Sequence, residues 1–202
     1  ASAVDIDSIG LTNVAAGLNR GVDPGGAAIG EPTPFVTGVA VNPGAVDRER
    51  ELRRFGWKLE AGADYAVTQP LFDGELLTTF LRDAGAGGLP VLAGLWPFTS
   101  LRNAEFLAHE VPGVQVPGAV LTRMTRAQAR SLEAARAEGL ALALEAAREL
   151  RDQVRGFHIS VPGGEVASVL PLLERLRSDS DHPPGAPGGP VPGTPPPGQG
   201  GP

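Results

Sequence analysis

Four short apolar segments alternate with helical patterns along this chain, and that alternation limits the folds it can adopt. The segments FVTGVAV, YAVTQ, PVLAGLW and FHISV predict β-strands at residues 35–41, 65–69, 90–96 and 157–161. Each is followed by apolar residues three or four positions apart, which is typical of an amphipathic helix. This order favours a parallel sheet with right-handed crossovers, so the predicted class is α/β. Strands as apolar as these are expected to be covered on both faces.

Helix start and stop signals place the helices between these strands. Asp7 is an expected N-cap, and Thr125 with Gln128 fits a capping box that predicts one long helix. Gly156 is the expected stop signal for that helix. The predicted helices span residues 7–19, 47–60, 73–84, 101–110, 125–154 and 165–177.

Only residues 1–178 have the composition of a folded domain. Residues 179–202 are dominated by proline and glycine and cannot bury enough apolar surface to offset their ordering entropy, so a disordered tail is expected. A complete (β/α)8 barrel uses about 250 residues and eight strands. Four strands therefore predict either a small open sheet or half a barrel, which would have two unpaired strand edges.

Composition argues against several functions. The net charge of −6 is unfavourable for a nucleic-acid partner, because phosphate binding needs a basic surface. No apolar run is long enough for a membrane span, and no signal-peptide pattern opens the sequence. Without cysteine the chain has no disulfide or thiolate chemistry, which fits a cytoplasmic protein. The sequence also contains no metal-ligand cluster, Ser/His/Asp set or glycine-rich phosphate motif.

The segment at residues 58–72 holds the strongest candidate for a binding site. Gln69 ends a predicted buried strand, where parallel sheets and barrels present side chains to ligands. A side-chain amide donates and accepts hydrogen bonds at once, so it can pair with the edge of a heterocycle. Lys58, in the preceding helix, is the only lysine among 17 basic residues.

Five motifs occur in the order and with the spacing of one known family. They are DIDSIGL at 5–11, IGEPTPF at 29–35, GVAVNP at 38–43, AGADYAVTQP at 61–70 and PFTSLRNAEF at 97–106. Together they resemble the C-terminal half of methylenetetrahydrofolate reductase, most closely the bacterial form fused to a homocysteine methyltransferase domain. The resemblance covers about residues 4–177.

The resemblance implies a flavoprotein built on a (β/α)8 TIM barrel, of which this chain would be the C-terminal part with about four β/α units. Members of the family use FAD and NAD(P)H to reduce 5,10-methylenetetrahydrofolate to 5-methyltetrahydrofolate, in one-carbon metabolism and methionine biosynthesis. The implied partners are the folate substrate and either the missing N-terminal half-barrel or further copies of the chain, as a homo-oligomer.

The resemblance also implies roles for individual residues. Gln69 corresponds to a glutamine that hydrogen-bonds the folate pterin, and Leu101 to a position that packs on nicotinamide nucleotide or folate. The positions that correspond to FAD-binding residues are Lys58 near the phosphates, the acidic Glu51, and Val4, Asp5 and Asp7 near the nucleotide. Lysine offers a point charge to a pyrophosphate, whereas the flavin itself carries the hydride.

Three family features have no counterpart in this sequence. They are a glutamate near the first strand that protonates the substrate, a Gly-Asp pair after the fourth strand, and an arginine after the last strand, where residues 161–165 read VPGGE. No catalytic residue is therefore assigned, and the chain alone is expected to be a truncated, incomplete enzyme.

Two other interpretations stay open. One is a non-catalytic α/β binding or scaffold fragment derived from such a reductase. The other is a barrel lyase acting on a small carbonyl compound, which is disfavoured because no lysine lies at a strand end.

Glu51 also fits a solvated charged helix face. His158 is expected to lie in the core or behind the residues that contact a ligand, and Trp57 and Trp96 are expected to be packing residues.

Overall fold

The fold is described from a computed structural model, which places residues 6–179. The elements in this part of the chain, in order, are α1 (Ser8–Asn19), β1 (Gly38–Val41), α2 (Arg48–Glu60), β2 (Tyr65–Pro70), α3 (Gly74–Asp83), β3 (Val91–Leu95), α4 (Leu101–Glu110), α5 (Gly118–Gln128), α6 (Leu132–Leu150), β4 (Gly156–Ile159) and α7 (Leu170–Ser178). Two short 3-10 turns, Pro162–Gly164 and Val166–Val169, precede α7. Val4, Asp5 and residues 180–202 of the predicted tail lie outside the described residues.

The four strands form one parallel sheet in the order β1-β2-β3-β4, and at least one helix follows each strand. This confirms the predicted α/β class and the four β/α units. Strands that are consecutive in the chain are also neighbours in space, which is the arrangement of a barrel wall. The fold is therefore consistent with part of a (β/α)8 TIM barrel.

Only one face of the sheet carries the apolar core. Alternate side chains such as Val41, Ala66 and Ala93 are buried in clusters with residues of the helices. On the opposite face only Gly94 is buried, while Ala40 and other positions are exposed or partly exposed. The expectation of strands covered on both faces is thus wrong for the described residues. The apolar pattern did not separate the two cases, because the open face also carries small and apolar side chains.

The single long helix predicted over residues 125–154 is wrong. Two helices, α5 and α6, are separated at residues 129–131, where the Ser131 hydroxyl caps α6 by accepting a hydrogen bond from Ala134 N at 3.0 Å. Thr125 instead lies within α5, and its hydroxyl donates to Leu121 O at 2.9 Å. Serine caps a helix at least as well as threonine, so the sequence offered two competing caps. The last helix also starts later than predicted, after the two 3-10 turns.

Candidate functional site

A cleft lies at the carboxyl ends of β2, β3 and β4, on the open face of the sheet. Its volume is about 190 Å³. The residues that line it are Ala40, Val67, Thr68, Gln69, Pro70, Gly94, Trp96, His158 and Ser160. Parallel α/β proteins and barrels bind ligands at the carboxyl edge of the sheet, so this cleft is the candidate site.

A bulge in the pairing of β2 with β3 shapes the cleft. The register changes between Val67 and Pro70. Here the Thr68 hydroxyl accepts a hydrogen bond from Gly94 N at 2.9 Å and donates one to Gln69 O at 2.7 Å. A Cβ atom on Gly94 would lie 2.8 Å from Thr68 O and 2.9 Å from Gln69 O, so the backbone of β2 can approach only a glycine this closely. Because bulges redirect nearby side chains, Thr68 and Gly94 together set the position of Gln69.

Gln69 stands at the place predicted for it, the carboxyl end of β2. Its side chain is exposed, and no residue among 6–179 forms a hydrogen bond with its amide. The Thr68 hydroxyl donates to its backbone carbonyl. The amide therefore keeps its donors and its acceptor for a ligand. Its contact with a pterin stays a prediction.

Two further side chains, His158 and Trp96, line the cleft. Trp96 also packs against the apolar cluster that contains Phe98, as expected of a packing residue. His158 is exposed, so the expectation of a core histidine is wrong: β4 is the outermost strand of the described sheet, and this position lies on its open face. The Trp96 indole is partly buried, and its Nε1 donates to Asn103 Oδ1 at 3.0 Å. Alternation along β3 would have placed Trp96 on the same face as Gly94. The position of His158 depends on the register of β4 with β3, which the sequence does not specify.

Lys58 and Glu51 hydrogen-bond to the unpaired edge of β1. The backbone carbonyl of Thr37 accepts a hydrogen bond from the β2 side. Because the backbone groups of alternate residues point to opposite edges of a strand, those of Ala40 and Asn42 point to the other edge of β1, away from β2. There Lys58 Nζ donates to Ala40 O at 2.6 Å, and Glu51 Oε1 accepts from Asn42 N at 2.9 Å. The Lys58 side chain is held in the interior, with the residue only 6% exposed. The pair therefore occupies groups that a neighbouring strand would otherwise use.

The buried ammonium predicts an unusual pH dependence of stability. Burial lowers the pKa of Lys58, and the Glu51 carboxylate opposes the shift. Between the lowered pKa and the ordinary one, the unfolded chain holds a proton that the folded chain has lost, so stability rises with pH in that window. Relative to a Lys58→Met variant, the unmodified chain should gain free energy of unfolding as the pH rises toward the ordinary lysine pKa. Urea unfolding at a series of pH values measures this, and an identical pH profile for both proteins would contradict it.

Asp7 caps α1 and ties it to α2. Its Oδ1 accepts from Gly10 N at 2.9 Å, and its Oδ2 lies 3.4 Å from a guanidinium nitrogen of Arg54. The hydrogen bond from Gly10, together with Arg54, lowers the pKa of the Asp7 carboxyl. The Asp7 carboxylate also lies close enough to Lys58 to favour its charged form, which acts to raise the pKa of the ammonium. The structure thus brings Asp7, Glu51 and Lys58 together around α2, although none of them lines the cleft.

Leu101 lies at the start of α4, away from the lining of the cleft. It is partly buried and packs against the cluster that contains Phe98 and Met124. Its backbone N–H donates to Gln128 Oε1 at 3.2 Å. Its contact with nicotinamide nucleotide or folate stays a prediction.

A second, larger cleft lies between α5 and α6, with a volume of about 250 Å³. Arg126 and Arg130 line it, and Arg123 is held there by Glu138 at 2.6 Å and by Glu145. These carboxylates raise the pKa of the Arg123 guanidinium. No strand end reaches this cleft, so its greater volume does not make it the better candidate.

Among residues 6–179 there is no group of three or more histidine or carboxylate side chains that could hold a metal ion. None of the described helices is long and apolar enough to cross a lipid bilayer.

The sheet topology and the position of the cleft define an α/β protein of the TIM-barrel type with its candidate site at the carboxyl ends of the strands. The sequence profile of the methylenetetrahydrofolate reductase family matches residues 34–167, about two thirds of the chain. The chain belongs to this family. The matched region contains all four strands and every residue that lines the cleft.

A solved structure gives the same fold. An uncharacterized protein from Clostridium thermocellum, described as binding two copies of 5-methyl-5,6,7,8-tetrahydrofolic acid, is similar to this chain with a TM-score of 0.52 and 18% sequence identity. The match covers 72% of this chain and 54% of that protein. This chain therefore spans about half the length of the protein it matches.

Proposed function

We propose that this chain binds a reduced folate in the cleft. We further propose that it takes part in the reduction of 5,10-methylenetetrahydrofolate to 5-methyltetrahydrofolate in the cytoplasm, with FAD and NAD(P)H supplying the hydride. The observation that carries the proposal is the side-chain amide of Gln69, which lines the cleft and has no hydrogen-bond partner among residues 6–179, within the region that matches the reductase family. The folate bound by the protein of similar fold supports the class of ligand.

The chemistry of the cleft suits a pterin ring. Such a ring has hydrogen-bond donors and acceptors next to each other along one edge, and an amide can pair with both at once, as a carboxylate or an alkyl group cannot. The walls from Val67, Pro70 and Trp96 are apolar and suit the faces of a flat ring. Gln69 would therefore orient the ring while the walls exclude water from it.

The residues proposed for FAD do not fit that cofactor in the described arrangement. The Lys58 ammonium is buried against Ala40 O, and the Glu51 carboxylate is bound to Asn42 N. A strand that paired with the outer edge of β1 would take over both backbone groups and release both side chains. An N-terminal half-barrel or a second copy of the chain would supply such a strand, and in that assembly we propose Lys58, Glu51 and Asp7 as the cofactor contacts.

One observation favours a second candidate, folate binding without turnover. The residues that line the cleft include no carboxylic acid that could protonate a substrate. The chain is mixed with FAD, and its binding of 5-methyltetrahydrofolate is measured separately. If it binds the folate but neither retains the flavin nor oxidises NAD(P)H, the second function is supported. Retention of FAD after dialysis, followed by folate-dependent oxidation of NAD(P)H, would support the reductase.

Substitution of Gln69 tests the folate site. Gln69→Leu should weaken the binding of 5-methyltetrahydrofolate by about 1–3 kcal/mol, because it leaves polar groups of the bound ring without partners. Isothermal titration calorimetry measures the change. Gln115→Leu is the matched control, since Gln115 is exposed and lies outside the cleft. Equal affinity of the Gln69→Leu variant and the unmodified chain would show that the cleft does not bind folate through Gln69.

A further inference from the structure

We propose that His158 is a second substrate-contacting residue, which hydrogen-bonds the folate ring across Gly94 from Gln69. This inference rests on the proposed folate site. The motifs that carry the family resemblance end before His158, and a place in the core or behind the ligand contacts was expected for it. Its place in the cleft comes from the structure alone.

The register of the strands places His158 across Gly94 from Pro70, the residue next to Gln69. Gly94 of β3 pairs with His158 of β4 on one side and with Pro70 of β2, the neighbour of Gln69, on the other. Gly94 has no side chain, so no side chain from β3 separates the amide from the imidazole at this level of the cleft. The Trp96 indole, held by Asn103, stands one position further along the same face. A flat ring lying across Gly94 would thus have a polar group at each side and an aromatic wall at its end.

The hydrogen-bonding state of His158 suits this role. Its side chain is exposed, and no residue among 6–179 forms a hydrogen bond or ion pair with the imidazole. A neutral imidazole offers one donor and one acceptor, which complements the mixed edge of a reduced pterin. Two hydroxyl side chains also line the cleft, Thr68 and Ser160. The Thr68 hydroxyl already bonds Gly94 N and Gln69 O, and serine has only a short side chain. Among the described residues that line the cleft, Gln69 and His158 are therefore the long polar side chains without a hydrogen-bond partner, and we propose that they recognise the ring.

The test compares the affinity of four proteins for 5-methyltetrahydrofolate by isothermal titration calorimetry. They are the unmodified chain, His158→Ala, His158→Gln and, as a matched control, His109→Ala, which removes an exposed imidazole on α4. His158→Ala should weaken binding about tenfold or more, and His158→Gln should recover part of the loss, because its amide restores a donor and an acceptor. His109→Ala should bind as the unmodified chain does. Thermal unfolding of His158→Ala should be unchanged, since an exposed side chain with no partner contributes little to stability.

The possible failures are distinguishable. If the unmodified chain binds the folate and His158→Ala binds it equally well, the role of His158 is overturned while the folate site stands. If His158→Ala loses affinity only in proportion to a loss of thermal stability, the residue is structural and the inference is overturned. If the unmodified chain does not bind 5-methyltetrahydrofolate at all, the proposed function is overturned, and this inference with it.

Discussion

Replacing Gly139 with alanine is expected to lower the free energy of unfolding by about 3 kcal/mol. Gly139 is buried in α6, where the backbone of the β3–α4 loop lies directly against the helix. An added Cβ atom would overlap the carbonyl oxygen of Phe98 and would lie 2.7 Å from its carbonyl carbon and 2.8 Å from its nitrogen. Because these are backbone atoms, no rotation of a side chain can relieve the overlap. Urea unfolding of the variant measures the loss.

The loop has little freedom to move away from the new methyl group. Phe98 is 1% exposed and stacks on Phe72 with ring centroids 5.1 Å apart. It also belongs to the apolar cluster that joins α4 and α5 to α6. A shift of Phe98 would therefore disturb the packing of three helices.

Gly56→Ala is the matched control for this prediction. Gly56 is also inside a helix, α2, but no atom outside the helix backbone lies within 4 Å of its added Cβ. Because alanine favours a helix more than glycine does, this variant should be unchanged or more stable by up to about 1 kcal/mol. Equal effects at Gly139 and Gly56 would show that the loop does not lie against α6 as described.

The second large effect is expected at Gly94. Gly94→Ala should destabilise the fold by about 1–3 kcal/mol and also weaken folate binding, because the new Cβ would push back the bulged backbone that positions Gln69. Both quantities are needed: chemical denaturation gives the stability, and calorimetry with 5-methyltetrahydrofolate gives the affinity.

Gly156→Ala serves as the comparison for Gly94→Ala. Gly156 lies on the same open face, in β4, and its added Cβ would only touch the Leu92 side chain at an ordinary 3.4 Å. This variant should keep both stability and folate affinity. A Gly94→Ala protein that is less stable but binds folate normally would contradict the claim that the bulge positions Gln69.

Much of the fold could be predicted because its local signals agree with one another. Helix α4 spans the predicted residues, Leu101–Glu110, and the Ser100 hydroxyl caps it by accepting a hydrogen bond from Asn103 N. Where two caps compete, as at Thr125 and Ser131, the pattern is ambiguous and the prediction of a single helix was wrong.

The candidate site was only partly predictable. Gln69 was found because the residue ends a strand, which is a local property. The bulge beside it depends on a hydrogen bond from Gly94 to Thr68, two residues 26 positions apart, and local sequence has no signal for that contact. His158 was misplaced because an apolar strand does not reveal whether both of its faces are covered.

Lys58 shows the same limit for electrostatics. The sequence identified it as the only lysine and, by resemblance, as a cofactor contact. In the structure its ammonium donates a hydrogen bond to the carbonyl of Ala40, at the edge of β1 that faces away from β2. Whether this edge is accessible depends on which strands are paired. Whether a charge faces a ligand or the backbone is a property of the assembled sheet.

The most direct test of the folate site is a two-dimensional NMR titration of the isotope-labelled chain with 5-methyltetrahydrofolate. The side-chain amide resonances of Gln69 and the indole N–H resonance of Trp96 should shift as the ligand is added, because both residues line the cleft. Those of Gln115 and Trp57, which lie outside it, should stay in place. Shifts confined to residues of the cleft between α5 and α6, with no change at Gln69, would contradict the proposed site.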